Sequence, residues 1–510
     1  MKHQVNQLRA GVYLSLVNLM LSCLIPIAYT PWMLRILGAQ EHGLFALAQS
    51  AIGYLGLLNL GLGSTLIRYL AKYRAEQDSD SIARTFGLFL LLYTGLGILA
   101  LLGGAVIVRN AGRIFSQGLQ PQELAKIETL LMIMTVNTAL SFPAGVFVSV
   151  QTAHERYVFR HGMNILSTVV GPVCSLAALH LGHGSVGMAV AGLGLQLVLI
   201  VPNVYYCLGV LKVRPVFRKI PLHLFGEMVS FSAFVFLASV ADMLFWATDK
   251  VILGMTVGTA AVSVYQIGST FNQMVMQLSG SISGVLTPRI TGMVVKHASG
   301  AELTEVFIRV GRVQFLVVGL IISGFASFGQ SFIRLWAGEA YGDAYWIAVL
   351  TLFPLCVPLI QNTGLSILTA QNRHRSRAIV YVLIAMTNAV STYLIVPHLG
   401  GLGAALCTCG SYLLGQGLFM NWYYHKVIGI DIPLFWRNIL KMAVIPGVMM
   451  VLTLLLQRRL PIRNWITFFV GVGLYSGFYC LGMHLTCMND YEKDVIRGPL
   501  KKIAGLFVRK

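Results

Sequence analysis

Two carboxylates stand in one apolar run, Asp242 and Asp249 in ADMLFWATDKVILG (241–254). At about 100° per residue, seven positions bring a helix almost back to its starting direction. Both acids therefore share one face, with Trp246 between them and Lys250 directly after. An ionisable group inside a membrane span is costly to keep there and marks a path for protons, ions or charged substrate. Asp242, the deeper of the two, is the candidate for coupling to H⁺ or Na⁺. The plainer readings are a hydrogen-bonded structural carboxyl for Asp242 and a helix end closed by a local ion pair for Asp249–Lys250.

The next apolar run carries a second constellation. Gln266, Ser269, Thr270, Gln273, Gln277, Gly280, Ser281 and Gly284 fall within about 60° of one line along a helix. A seam of small residues packs helices closely, but such a seam has no use for three glutamines. We therefore expect Gln266, Gln273 and Gln277 to line an aqueous cavity. Three arginines stand where spans should end: Arg35 in TPWMLRILG, Arg68 in LGSTLIRYLA and Arg289 in LTPRI. A guanidinium matches phosphate geometry with two parallel hydrogen bonds. Arg68 and Arg289 equally suit anchors that snorkel to lipid headgroups.

No enzyme signature accompanies these groups. HLGHG (180–184) has two histidines without a carboxylate or third ligand, and HExxH, GxSxG and GxxxxGK[ST] are missing from the chain. We expect no metal, no cofactor and no catalysis, and no ATP-driven step.

The solvent these residues must work in is legible from composition. Of 510 residues, 56% are hydrophobic and 11% charged, where a soluble domain carries about 25% charged. Mean hydropathy is +0.74. The net charge of +19 comes without a Lys/Arg-rich tract or an aromatic-basic motif, so nucleic acid is not the partner and the charge belongs to loops. The eight cysteines are scattered, mostly in apolar runs, as reduced core residues are.

Runs long enough to span a bilayer core, about 17–25 residues, fall near 12–34, 43–67, 86–108, 127–150, 162–181, 185–211 and 228–248. Seven more fall near 262–286, 313–333, 344–369, 378–397, 401–422, 440–456 and 465–487. Fourteen transmembrane helices follow. The first is too long for a signal-peptide core. With the N-terminus inside, 28 of the 37 Lys and Arg residues fall on the cytoplasmic side and nine outside, which places both termini in the cytoplasm.

The chain also repeats itself. QTAHERYVFR (151–160) returns as LTAQNRHRSR (368–377), HLGHGSVGMA (180–189) as HLGGLGAAL (398–406), and RILGAQEHGLF (35–45) as VILGMTVGTAAVSVY (251–265). The spacing is 216 to 218 residues each time. This predicts an all-α integral membrane protein of two parallel six-helix lobes plus two extra C-terminal helices. The N-lobe is residues 1–211, the C-lobe 212–425, and 426–510 hold spans 13 and 14 with a cytoplasmic tail.

The ordered series RILGAQEHGLF, LGLGSTLIRYLA, TDKVILG, YQIGSTFNQMV, TPRI, LTAQNRHR and GLGAAL resembles the Wzx-like polysaccharide flippases. These share a superfamily of multidrug, oligosaccharidyl-lipid and polysaccharide exporters with the lipid II flippase MurJ and the MATE drug exporters. The resemblance covers about residues 10–425. It implies two lobes rocking about a cavity lined by spans 1, 2, 7 and 8. The implied cargo is an oligosaccharide on polyprenyl diphosphate, an O-antigen or exopolysaccharide unit, moved to the periplasmic leaflet of the inner membrane. The partners it implies are membrane lipids and the polymerase and export proteins of such a pathway. Arg68, Asp249 and Arg289 sit at family-type positions, while Arg35, Asp242 and the glutamines come from the local reading. Cationic groups for the diphosphate, with amides and the aromatic faces of Tyr265 and Trp246 for sugar, agree with that cargo. A MATE-like exporter of cationic drugs fits less well, since spans 1–6 hold no acid beyond Glu128. A membrane glycosyltransferase or polymerase wants a larger outer loop than 109–126. Lipid II as cargo stays open on chemistry.

Overall fold

A backbone surrounded by hydrocarbon must satisfy its own N–H and C=O groups, which leaves the helix as the element open to these apolar runs. The computed structural model describes residues 2–218, 236–296, 298–371 and 374–494, with the backbone alone for 2–9, 285–289 and 374–376. Among the described residues every regular element is helical. Ten helical stretches there are long and apolar enough to cross a membrane. The protein is an all-α, multi-pass membrane protein.

The first part of the chain forms α1 (Lys2–Gly53), a 3₁₀ turn (Tyr54–Asn59), α2 (Leu62–Ala75), α3 (Ser79–Ile114), α4 (Pro121–Ala153), α5 (Tyr157–His180) and α6 (Gly184–Tyr205). After residues 219–235, which lie outside the description, come α7 (residues 236–246), α8 (Thr248–Thr256), α9 (Thr259–Val295) and α10 (Gly300–Ala337). The rest is α11 (Ala344–Ile360), α12 (Asn362–Ala370), α13 (His374–Tyr412), α14 (Met420–Tyr423), α15 (Ile432–Arg459) and α16 (Trp465–Thr486). The start of the expected span 228–248, Arg373 and the basic tail 495–510 lie outside the described residues.

Glycine sets the breaks in the longest helices. α1 has non-helical backbone at Gly38 (φ 73°) and α13 at Gly400 (φ 56°), values in the left-handed region that favours glycine. The expected span 43–67 is also interrupted. Leu60 and Gly61 are left-handed, in a stretch with glycine at 53, 56, 61 and 63, where helix propensity falls by roughly 1 kcal/mol per glycine. The turn is held from α3, because the Tyr93 hydroxyl donates to Asn59 Oδ1 at 2.7 Å. Likewise the expected span 344–369 divides at Gln361, past Pro354 and Pro358, as prolines without an N–H dictate.

Helix starts follow capping chemistry. Asp78 accepts from Ser81 N at 2.9 Å, Glu123 from Gln120 N at 2.9 Å, and Asp431 from Leu434 N at 3.0 Å. Ser299 and Glu302 cap α10 reciprocally. That cap starts α10 over three turns before the expected 313. Arg312, expected in a loop, is therefore inside the helix, buried against Glu492.

The chain forms two compact units, residues 1–266 with 378–407, and 267–377 with 408–510. In the first, α3 packs along α4 and α1 along α5, with Leu66, Leu70, Phe86, Phe89, Ile127 and Leu130 fully buried. In the second, α10 is the central helix, packed by α11, α15 and α16. Phe307 there meets both Tyr424 and Phe435 edge-on.

Candidate functional site

The TDK segment opens α8 just after the helix breaks at Ala247. Asp249 is 0% exposed. A carboxylate in such a place needs donors, and two neighbouring helices supply them. The Tyr265 hydroxyl of α9 donates to Oδ2, and the Thr392 hydroxyl of α13 donates to Oδ1 at 3.3 Å. The next residue repeats the register, with Lys250 Nζ donating to Gln266 Oε1 at 2.9 Å. Thr248, on the other side, meets the Tyr54 hydroxyl at 2.5 Å. Three consecutive residues of α8 thus tie the 3₁₀ turn, α9 and α13 to one point. Asp249, Lys250 and Gln266 are brought together.

Asp242 lies on α7 in different surroundings. It is exposed, and the Tyr381 hydroxyl donates to its Oδ1 at 3.3 Å. Tyr381 also stacks on Phe245 with centroids 5.1 Å apart. Trp246 is half-buried against the apolar cluster of Ala241, Phe245 and Ala385.

Along α9 the polar residues divide between two faces. Gln273 and Gln277 are exposed, as are Gly280 and Gly284, while Ser269 is buried. On the other face Asn272 donates to Thr351 at 2.8 Å and Ser279 to Gln314 at 2.7 Å, both nearly fully buried. Packing therefore consumes Asn272 and Ser279, while the side chains of Gln273 and Gln277 stay exposed. Arg35 and Arg68 are exposed, on α1 and α2. The side chain of Arg289 lies outside the described residues.

Beyond Gly38, α1 and the start of α9 touch backbone to backbone. A Cβ added at Gly43 would fall 1.7 Å from the Thr259 carbonyl oxygen, and one at Gly118 would fall 2.1 Å from that of Gly254. His42 Nδ1 lies 2.7 Å from Ser263 Oγ, and the Thr259 hydroxyl donates to Glu123 at 2.7 Å. Lys126 pairs with Glu41 nearby.

Sequence reasoning named Asp249 and Tyr265 but missed Tyr54, Thr392 and Tyr381. Asn388 and Thr392, both fully buried, are polar residues four apart in the apolar run 378–397. The test that singled out the α9 stripe would have found them.

A family model described as polysaccharide biosynthesis protein matches residues 8–294, more than half of the chain. The chain is 22% identical over 445 residues to the "Uncharacterized membrane protein EpsK" of Bacillus subtilis (strain 168), covering 84% of this chain and 85% of that one. It is 20% identical over 421 residues to the "Putative O-antigen transporter" of Shigella flexneri, covering 80% and 95%. Its fold matches that of lipid II flippase MurJ in an inward closed conformation, with a TM-score of 0.72 at 13% identity over 96% of this chain and 99% of that one.

Proposed function

The chain belongs to the polysaccharide biosynthesis protein family, and from that membership we propose that it is a flippase for an oligosaccharide linked to polyprenyl diphosphate. The cargo, an O-antigen or exopolysaccharide repeat unit, passes from the cytoplasmic to the periplasmic leaflet of the inner membrane by alternating access. The fourteen spans place both termini in the cytoplasm, with lobes 1–211 and 212–425 and the last two helices in 426–510. A continuous helix of 52 residues is about 78 Å long, more than twice the roughly 30 Å hydrocarbon core. The breaks at Gly38 and Gly400 therefore support counting α1 and α13 as parts of two spans each.

The observation that carries the cargo class is the division of α9. Its amides at Gln273 and Gln277 stay exposed while Asn272 and Ser279 hold the helix in place. Primary amides offer both donor and acceptor groups, which is what sugar hydroxyls require. Arg35, Arg68 and Arg289 supply the charge a diphosphate needs, and Trp246 an aromatic face. Asp249 and Lys250 set the geometry where α8 meets α9. Asp242, exposed and bonded by the Tyr381 hydroxyl, is the candidate to exchange H⁺ or Na⁺.

The test is flipping of a fluorescent polyprenyl-diphosphate oligosaccharide in proteoliposomes, with Arg68 and Arg289 each changed to Ala and to Lys. Failure of both Lys variants nearly as complete as that of the Ala variants is expected, because a point charge cannot replace the planar fork. Full transport by Arg68→Lys and Arg289→Lys would remove the diphosphate-grip assignment. Transport of lipid II in place of the oligosaccharide would overturn the cargo.

A further inference from the structure

The turn between α4 and α5 collects positive charge that no ion pair among the described residues neutralises in full. α4 closes with Glu155 in the left-handed region (φ 58°), its N–H bonded to Thr152 O and that of Arg156 to Gln151 O, each at 3.0 Å. Arg74, from the end of α2, donates to Ala153 O at 2.6 Å and pairs with Glu155 at 2.8 Å. The one carboxylate of this turn is thereby taken. Arg156 and Arg160 follow, and among the described residues neither forms an ion pair. Arg160 Nη1 reaches Thr152 Oγ1 at 3.1 Å. The Nε atoms of Arg156 and Arg160 and Nδ1 of His161 are buried without a hydrogen-bond partner among the described residues. Three such atoms on neighbouring side chains are unusual, because each orphaned polar atom costs stability.

His154 adds no charge here. Burial, and after it the Arg74 and Arg156 guanidiniums, hold its imidazole below the usual range against the pull of the Val150 carbonyl.

An apolar surface adjoins the cluster. Phe159, one residue before Arg160, stacks flat on Tyr206 with centroids 3.9 Å apart. This joins the first turn of α5 to the end of α6. There a groove of about 860 Å³ runs along Ile200, Val201, Val204, Tyr205 and Leu208, with Arg214 at its rim. Val201 and Tyr205 are 67% and 69% exposed. Guanidiniums beside an apolar groove, at the end of membrane-spanning helices, complement a phosphate joined to acyl chains.

We propose that the α4–α5 turn is a binding site for an anionic phospholipid, with the headgroup phosphate on Arg156 and Arg160 and an acyl chain along the groove of α6. The remaining Nη–H groups of the two guanidiniums give charge-assisted hydrogen bonds to the oxygens of a single phosphate. The site does not require the transport reading, since it concerns resident lipid rather than cargo.

The experiment is native mass spectrometry of the full chain released from phosphatidylcholine nanodiscs containing phosphatidylglycerol as the minor lipid. The expected result is one retained phosphatidylglycerol that resists delipidation. In Arg156→Gln/Arg160→Gln its occupancy falls roughly tenfold or more, the loss expected for charge-assisted bonds, and in Arg109→Gln it is unchanged. Thermal unfolding in neutral detergent checks that the variants fold. Should the double variant not fold, the single Arg160→Gln and the wild-type preference for phosphatidylglycerol over phosphatidylcholine decide. Three outcomes overturn the proposal: no such preference in the wild type, equal retention by the variants, or displacement of the bound lipid by inorganic phosphate, which marks a soluble-anion site.

Discussion

Gly43→Ala is the smallest change that tests whether α1 and α9 meet only in one state of a moving protein. The added methyl would sit 1.7 Å from the Thr259 carbonyl oxygen and 2.5 Å from its carbon. Ordinary contacts lie at about 3.5 Å, so the two backbones must part by roughly 1.8 Å. Both partners are helix backbone and cannot rotate aside. Overpacking of this kind costs about 1–3 kcal/mol. If the contact forms in one conformation and opens in another, the same energy favours the open one by about 5- to 150-fold. Ser263, 0% exposed and bonded to His42 across this contact, is the reporter. In a background without native cysteines, the thiol introduced by Ser263→Cys should react with an impermeant maleimide faster by that factor when Gly43→Ala is added. Gly112→Ala on α3 is the control, since nothing lies within 4 Å of its added methyl and alanine favours the helix. An unchanged labelling rate in Gly43→Ala, with unfolding temperature also unchanged, would refute a tight contact at this point.

Other outcomes follow from the same geometry. Arg312 and Glu492 form a buried bidentate pair at 2.6 and 3.0 Å, so Arg312→Leu or Glu492→Leu strands one charge and costs about 3–5 kcal/mol, while the double leucine variant costs far less. Amide exchange over 487–494 should accelerate by about 10²- to 10⁴-fold in either single variant; wild-type rates in both would dismiss the pair as a clamp. Thiols introduced by Gln273→Cys and Gln277→Cys should label readily, and those from Asn272→Cys and Ser279→Cys hardly at all. The reverse order would make the glutamine stripe a packing seam. Asp249→Asn removes a charge that Tyr265 and Thr392 stabilise together, so it should lower both stability and flipping, whereas Asp242→Asn should leave stability unchanged and remove only ion dependence. Equal unfolding temperatures for Asp249→Asn and wild type would contradict that role.

The sequence by itself determined the membrane class, the helical content and the approximate position of most of the long apolar helices. Hydrocarbon admits few backbone solutions, and the apolar runs are long. It also located the acid at 249 and the stripe at 266–284, since a polar residue in an apolar run is conspicuous without any coordinates. Its local logic failed where a helix end or a partner came from far along the chain. Arg312 reads as a loop charge until Glu492, 180 residues later, closes on it. Counting along one helix does not show that Asp249 is fully buried, because Tyr265 and Thr392 arrive from two other helices. The interruption at Leu60–Gly61 needed Tyr93 of α3 to hold it. Periodicity tells which residues share a face of one helix. Only the packing of several helices decides whether that face meets solvent, lipid or another backbone, because burial and hydrogen-bond partnership are properties of groups distant in the chain.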